Sequence, residues 1–273
     1  MKGKDQSMKK ILLFLALLVF VTVAGYCENE MFVIKEINLK LVKCPAGSFM
    51  MGSQKNELGH GSDEILHKVT LSKPFYIGIY EVTQNQYKAI EKNNPSFFKG
   101  DNKPVEQICW DDAKDFCKKL NIRYKNLLPK GYVFDLPTEA QWEYACRAGT
   151  TNALNNGKNL TIADGTCPNL DEVAWYSKNS EKSSHIVGQK KPNAWGIYDM
   201  HGNVGEWCRD WCMDYTDKEL VDPFGITPDS SRVNRGGGWF DIPARCRSAF
   251  RCGDEPDIGY KYLGFRVALV PVE

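Results

Sequence analysis

The chain has 273 residues and a formal net charge of +1, with 35 basic and 34 acidic side chains. A balanced charge offers no basic surface, so we expect no nucleic acid among its partners. Aromatic residues make up 12% of the chain, beside 23 glycines and 13 prolines, which predicts a compact, turn-rich fold and argues against disorder.

The N-terminus has the pattern of an export signal. A pair of lysines precedes an apolar run over residues 11–23, and Ala24 and Gly25 follow it. This predicts a signal peptide over residues 1–27 and a location at the bacterial cell surface or in the periplasm. Cys27 leaves open a lipid anchor in the outer membrane, although the tyrosine before it departs from the usual lipoprotein motif.

Residues 30–273 contain no internal repeat or long linker, and we interpret them as one domain. Short apolar and alternating segments predict strands before the first helix, over residues 32–42, 45–53, 68–71 and 75–80.

Two or three helices are predicted in the middle of the chain. Capping boxes at Thr83 and Thr138 predict helix starts, and Asp111 begins a further helix between them. The predicted inward-facing residues of the last two helices are Ala113, Phe116, Cys117, Leu120, Trp142, Ala145 and Cys146. Residues 150–192 are predicted as mostly loop. Few helices among many short strands and long connections indicate an α+β fold.

The C-terminal segment, residues 232–267, has two stiff ends around an irregular centre. Gly236 to Gly238 allow a sharp turn that delivers Trp239, and residues 263–270 alternate as a closing strand. Between them, aromatic, acidic, arginine and glycine residues follow no helical or strand period. This composition suits a rigidly framed recognition surface, and an ordinary surface loop is the alternative.

Cysteine and histidine patterns predict no zinc site. The ten cysteines include no Cys-x-x-Cys pair, and the four histidines have no paired spacing. Export would permit disulfides, but the sequence by itself does not assign their pairing.

Several motifs in order resemble the formylglycine-generating (sulfatase-modifying factor) family, over residues 40–270. They are Pro45–Ser53, Tyr80–Tyr87, Pro104–Ala113, Leu136–Gly149, Val187–Val204 with Glu206-Trp207, and Gly236-Gly-Gly-Trp239 with Leu263-Gly-Phe-Arg266. The resemblance implies an elaborated C-type lectin fold, which agrees with the α+β prediction.

The enzymes of this family oxidise a substrate cysteine with oxygen and with copper held by two thiolates. The corresponding stretch here, residues 239–243, has no cysteine, and Gly205 and Gly238 stand where the resemblance implies tryptophan and serine. We therefore expect no copper. Relatives that use iron bind it with a histidine-rich partner domain, so no iron is expected either. The resemblance places Cys246 as a structural partner of Cys146, in a disulfide or as a buried thiol, rather than as a copper ligand.

One metal prediction follows from the resemblance. Asp199, Gly202, Val204 and Glu206 match the family's calcium loop, whose side-chain and backbone oxygens suit a hard cation. The predicted role of such calcium is structural. The alternative is a solvated acidic turn.

A second resemblance is to retroelement-diversified surface proteins, including the Treponema variable proteins, which are similar in fold and carry a variable ligand site at the C-terminal end. It implies a ligand site at Trp239, Phe240, Asp241, Ile242, Phe250, Cys252, Gly253, Asp254, Ile258, Gly259, Tyr260 and Tyr262. We expect a monomeric, exported, non-catalytic protein that binds an unknown protein or other surface ligand. An oxygen-dependent cysteine-modifying enzyme and a structural component of a surface complex are the alternatives.

Overall fold

A computed structural model describes residues 30–272. The predicted signal peptide and Cys27 lie outside the described residues. Within residues 30–272, no helix is long and apolar enough to cross a membrane.

Four helices and fourteen strands make up this part of the chain. The helices are α1 (Gln84–Glu91), α2 (Trp110–Arg123), α3 (Glu139–Arg147) and the short α4 (Pro168–Asp171). The strands are β1 (Met31–Ile34), β2 (Leu39–Cys44), β3 (Gly47–Met51), β4 (His67–Leu71), β5 (Phe75–Gly78), β6 (Tyr132–Asp135), β7 (Ala174–Trp175), β8 (His201–Gly202), β9 (Gly205–Trp211), β10 (Leu220–Val221), β11 (Arg232–Arg235), β12 (Arg251–Asp254), β13 (Leu263–Gly264) and β14 (Ala268–Pro271).

The strands form four small sheets. The five-stranded sheet has the order β1-β2-β5-β14-β6, and a three-stranded sheet has the order β10-β4-β3. A four-stranded sheet, β12-β11-β9-β13, carries the C-terminal segment, and β7 pairs with β8 alone. This arrangement confirms the predicted α+β class, with few helices and many short strands.

The predicted helix starts are confirmed by their capping geometry. Thr83 and Thr138 each accept a hydrogen bond from the backbone of a glutamine three residues on, whose side chain bonds back to the threonine N–H. Helix α3 ends at Arg147 because Ala148 adopts a left-handed backbone conformation, with φ of 44°. All the predicted inward-facing residues of α2 and α3 are buried.

Helices α1 and α2 pack on the five-stranded sheet, whereas α3 lies beside the C-terminal sheet. The rings of Tyr87 and Phe116 stack with centroids 5.6 Å apart, and Phe116 meets Phe265 edge-on at 5.4 Å. Trp142 of α3 is fully buried in a second apolar cluster with Val233 of β11. The core therefore fixes both ends of the C-terminal segment.

Two predicted strands are interrupted in the structure. The segment 32–42 breaks at a 3-10 turn and at Asn38, whose φ is 51°. The segment 263–270 divides into β13 and β14, which belong to different sheets. The buried Arg266 lies between the two strands and pairs with Glu206. The chain therefore passes from one sheet to the other at the position of a buried ion pair.

Candidate functional site

Two glycines set the turn that begins the C-terminal segment. Gly236 and Gly237 have φ of +94° and +67°, which favours glycine. A Cβ atom on Gly237 would lie 2.6 Å from the carbonyl oxygen of Arg245. The turn after β11 therefore needs glycine both for its backbone conformation and for close packing.

Buried ion pairs frame the same segment. The guanidinium of Arg235 donates to Glu143 at 2.5 Å and to Glu139 at 3.1 Å, both on α3. Arg251 of β12 donates to Glu139 at 2.9 Å. Arg247 pairs with Glu64 at 2.5 Å. These four ion pairs, made by three arginines of the segment, hold it as a fixed platform, because breaking a buried pair leaves an uncompensated charge.

Aromatic rings at the centre of the segment form a continuous series. The ring centroids of Trp239 and Phe240 are 5.5 Å apart, those of Phe240 and Tyr262 are 4.7 Å apart, and Tyr260 stacks on Tyr262 at 5.0 Å. Phe240 is 39% exposed, whereas Trp239 is 8% exposed. Phe240 and the two tyrosines thus present the accessible faces, and Trp239 supports them from below.

The series continues onto a loop that sequence reasoning missed. Phe98 meets Trp239 edge-on at 5.2 Å, and Phe97, which is 61% exposed, meets Phe98 at 4.9 Å. The ammonium of Lys261 lies 5.7 Å from the ring centroids of both Phe97 and Trp239. The available sequence signal was the adjacent phenylalanine pair in a polar loop. We call Phe97, Phe98, Trp239, Phe240, Tyr260 and Tyr262 together the aromatic surface.

The two predicted acidic residues beside this surface are held in place. Asp241 accepts a hydrogen bond from the Gly238 N–H at 2.9 Å, and Asp254 accepts one from the Asn234 amide at 2.8 Å. Burial raises the pKa of both carboxyl groups. Burial, with Asp254 as the next cause, raises the pKa of Tyr262 to about 12. Asp241 therefore stabilises the turn, while Asp254 lies within electrostatic range of the Tyr262 hydroxyl.

The remaining predicted site residues divide into accessible and enclosed groups. Cys252 is exposed and Ile258 is 38% exposed, so both can contact a ligand. A Cβ atom on Gly259 would lie 2.6 Å from the Gln107 carbonyl, and one on Gly253 would lie 2.6 Å from Ser231 Oγ. These glycines therefore allow close packing. Ile242 and Phe250 are half-buried.

The structure does not join Cys146 to Cys246 by a disulfide, and the two residues correspond to the buried-thiol alternative of the prediction. Among the described residues all cysteines are free thiols, and these two are fully buried. The sulfur of Cys146 lies 3.5 Å from Ser248 Oγ. The His201 ring contacts both cysteines. Its Nδ1 makes a hydrogen bond to the Cys246 carbonyl at 2.7 Å, and its Nε2 lies 3.9 Å from the Cys146 sulfur.

The residues of the predicted calcium loop are buried, but they hold a different counter-ion. The Glu206 carboxylate accepts two hydrogen bonds from Arg266, from Nη2 at 2.5 Å and from Nε at 2.6 Å. It also accepts one from the Trp142 indole N–H at 2.7 Å. Asp199 accepts the Gly188 N–H at 2.6 Å. In this arrangement a cation at Glu206 would have to displace Arg266. Calcium at Asp199, Gly202, Val204 and Glu206 therefore stays a prediction from the resemblance.

The carboxylates around Arg266 share one buried positive charge. Glu81 accepts hydrogen bonds from the Asn203 amide at 2.9 Å and from the Val204 N–H at 3.2 Å. Burial and then the neighbouring Asp199 raise the pKa of Glu81 well above its usual value, and burial raises that of Asp199 to about 6. The Arg266 guanidinium is thus the buried counter-ion of this carboxylate cluster, in which Glu81 and Asp199 favour the protonated form.

The fold and the C-terminal segment define an α+β scaffold that presents a framed aromatic surface. The model of the sulfatase-modifying factor enzyme 1-like domain matches residues 34–270, and the chain therefore belongs to this family. The family fold implied by the sequence motifs is thereby confirmed.

Similar proteins in this family have different descriptions. The chain is 33% identical over 279 residues to the "Chaperone protein LppX" of Paenibacillus barcinonensis, covering 85% of this chain and 89% of that protein. It is 26% identical over 294 residues to the formylglycine-generating enzyme of Mus musculus, covering 84% and 74%. The solved structure of Treponema denticola variable protein 1 is 29% identical, with a TM-score of 0.76, covering 89% of this chain and 99% of that one.

Proposed function

We propose that this protein is an exported, non-catalytic binding protein whose ligand contacts the aromatic surface at the C-terminal end. The single observation that carries the proposal is the continuous series of rings from Phe97 to Tyr260, with exposed faces at Phe97 and Phe240. Rigid aromatic side chains supply large contact areas at low entropic cost, as in many binding surfaces.

The framing of the site supports binding by a preformed surface. Its supporting residues are fixed by the ion pairs of Arg235 and Arg251 with α3 and by the glycine turn after β11. Little conformational entropy would be lost on binding to such a surface. The structural likeness to Treponema denticola variable protein 1 supports the resemblance from which the C-terminal ligand site is inferred.

The arrangement of the thiols gives no support to the alternative of copper-dependent cysteine oxidation. Cys246 is fully buried, and burial raises the pKa of its thiol well above the usual value. Cys252 is exposed on β12. Copper in these enzymes needs two neighbouring thiolates, and soft thiolate ligands are what Cu(I) prefers. These observations support the proposal of a ligand site rather than an oxidase centre in this segment.

Site-specific photo-crosslinking tests the proposal directly. A benzoylphenylalanine at Phe240 should give adducts with a surface ligand, whereas the same group at Ile122, which is 79% exposed on α2, should give none. The triple variant Phe97→Ala, Tyr260→Ala, Tyr262→Ala should lose the Phe240 adduct while remaining folded, as circular dichroism and a cooperative melting transition would show. Equal adducts from both positions would count against the site.

Gene sequences from several isolates test the variable-site component separately. Variation confined to residues 240–262, beside an adenine-rich template repeat, would support retroelement diversification. An invariant end would leave the aromatic surface as a fixed binding site.

A second candidate function is assistance to the folding of another exported protein. It is favoured by the 33% identity to a protein described as a chaperone. The same rings would then contact apolar segments of an unfolded client. In that case the protein should suppress the aggregation of a denatured reporter enzyme, and the triple variant should not.

A further inference from the structure

A cleft separate from the aromatic surface lies between the turn after β3 and the C-terminal end of α3. Its volume is about 750 Å³, within the range of small-molecule sites. None of the residues of the aromatic surface lines it. From its shape and chemistry we infer that this cleft binds a neutral oligosaccharide.

Three rings form its apolar wall. The ring of Tyr144 lies 5.2 Å from that of Phe49 and 5.1 Å from that of Trp195, measured between centroids. Phe49 and Trp195 are half-buried, so part of each ring faces the cleft. Flat aromatic faces of this kind pack against the C–H faces of a sugar ring while leaving its hydroxyl groups free to hydrogen bond.

The polar wall carries unused amide groups. Within residues 30–272, the side-chain amides of Gln54, Asn56 and Asn152 make no hydrogen bond to another protein group, and all three line the cleft. An amide provides both a donor and an acceptor, which matches the paired donor and acceptor character of a hydroxyl group. Thr151 adds a hydroxyl at the same edge.

The charged side chains of the cleft are already paired, which argues against a charged ligand. Arg147 donates a hydrogen bond to the Glu143 carboxylate at 2.8 Å. It also donates to the carbonyl oxygens of Gly52 and Asn152, at 2.7 and 3.1 Å. Glu57 pairs with Arg247 at 2.8 Å. A charged ligand would find no free counter-charge here, whereas a neutral polyhydroxylated one needs none.

The same contacts fix the width of the cleft. Arg147 holds the backbone of Gly52 on one wall and of Asn152 on the other, and Glu143 accepts the Gly52 N–H at 3.0 Å. Gly47 lies against Tyr144, since a Cβ atom there would be 2.4 Å from the phenolic oxygen. The site is therefore preformed, which lowers the entropic cost of binding.

Saturation-transfer NMR and calorimetry with defined sugars test the inference. The probes are cellotetraose, maltotetraose and chitotetraose as neutral oligosaccharides, and trigalacturonate as an acidic one. At least one neutral probe should bind saturably, and trigalacturonate should not. Binding by none of the neutral probes, or equal binding of trigalacturonate, would overturn the assignment.

Variants at unbonded amides locate the binding without disturbing the fold. The double variant Gln54→Ala, Asn56→Ala should weaken the affinity for the probe about 30-fold, since each of the two lost hydrogen bonds is worth about 1 kcal/mol and about 1.4 kcal/mol is a factor of ten. Asn126→Ala, an exposed amide in a 3-10 turn outside the cleft, is the matched control and should bind normally. The triple variant of the aromatic surface should also bind the sugar normally, which separates this site from the proposed one. Unchanged affinity in both the double variant and Asn152→Ala would reject the cleft as the site.

Discussion

His201 shows how burial converts a titratable side chain into a structural one. Its Nδ1–H donates to the Cys246 carbonyl at 2.7 Å, and its Nε2 accepts the Asn155 N–H at 3.0 Å. The Nε2 acceptor requires the neutral ring, whereas the Nδ1–H bond is compatible with either form, and burial lowers the pKa of His201 to about 4. The histidine therefore joins the C-terminal segment to the loop after α3, and it is not placed for proton transfer.

The contribution of His201 should be visible in the pH dependence of the free energy of unfolding. Because its pKa is lower in the folded than in the unfolded chain, where it is about 6.5, its contribution is complete above pH 6.5 and is lost as the pH falls towards 4. Relative to His201→Gln, which keeps one donor and one acceptor, the native protein should lose about 3 kcal/mol between pH 8 and pH 4. Chemical denaturation at several pH values measures the difference. Parallel pH profiles would contradict it.

Calcium titration distinguishes the two possible counter-ions of Glu206. Because Arg266 already makes two hydrogen bonds to this carboxylate, at 2.5 and 2.6 Å, we expect millimolar calcium to leave the melting temperature unchanged. Arg266→Met removes the guanidinium and leaves Glu81, Asp199 and Glu206 together, so this variant should be stabilised by calcium but not by sodium at equal ionic strength. A calcium-dependent rise in the melting temperature of the native protein would instead support the predicted calcium site.

At the scale of elements, the helix caps and the buried helix faces were predictable from the sequence, because they depend on contacts a few residues apart. Thr83 and Thr138 begin their helices as predicted. The break between β13 and β14 was not predictable, since it depends on Glu206 meeting Arg266 across 60 residues. The contact of Phe98 with Trp239 was missed for the same reason.

Helix α3 should be the element on which the C-terminal segment depends. Arg235→Met would remove one of the two buried guanidinium partners of Glu143 and leave Arg147 at 2.8 Å. It should lower the free energy of unfolding by about 3 kcal/mol, the lower end of the cost of breaking a buried pair. Arg245→Met is the matched control, because its side chain is 57% exposed and its distance to Asp241 is 3.4 Å; it should cost less than about 1 kcal/mol. Urea denaturation compares the two, and equal losses would show that burial of the pair does not matter.

At the scale of the whole molecule, the sequence motifs were sufficient for the family and the α+β fold, whereas the ligand site in the C-terminal segment stays a prediction. The positions of the enclosed residues were not predictable. Gly253 and Gly259 are predicted ligand contacts, and in the structure both allow close packing, against Ser231 and Gln107 respectively. Chain composition shows that a glycine is present, and only the tertiary structure shows what lies against it.

The thiol state tests whether covalent links contribute to this architecture. A disulfide between Cys146 and Cys246 would close a loop of about 100 residues and would be expected to stabilise the fold by about 4–5 kcal/mol. Since both are buried free thiols, we expect dithiothreitol to leave the melting temperature unchanged. Alkylation before and after unfolding, followed by mass spectrometry, should show both cysteines blocked only after unfolding and without prior reduction. A large fall in melting temperature on reduction, abolished in Cys146→Ser, would show instead that the bond forms. The stability of the fold would then depend on the oxidising environment that the predicted export signal implies.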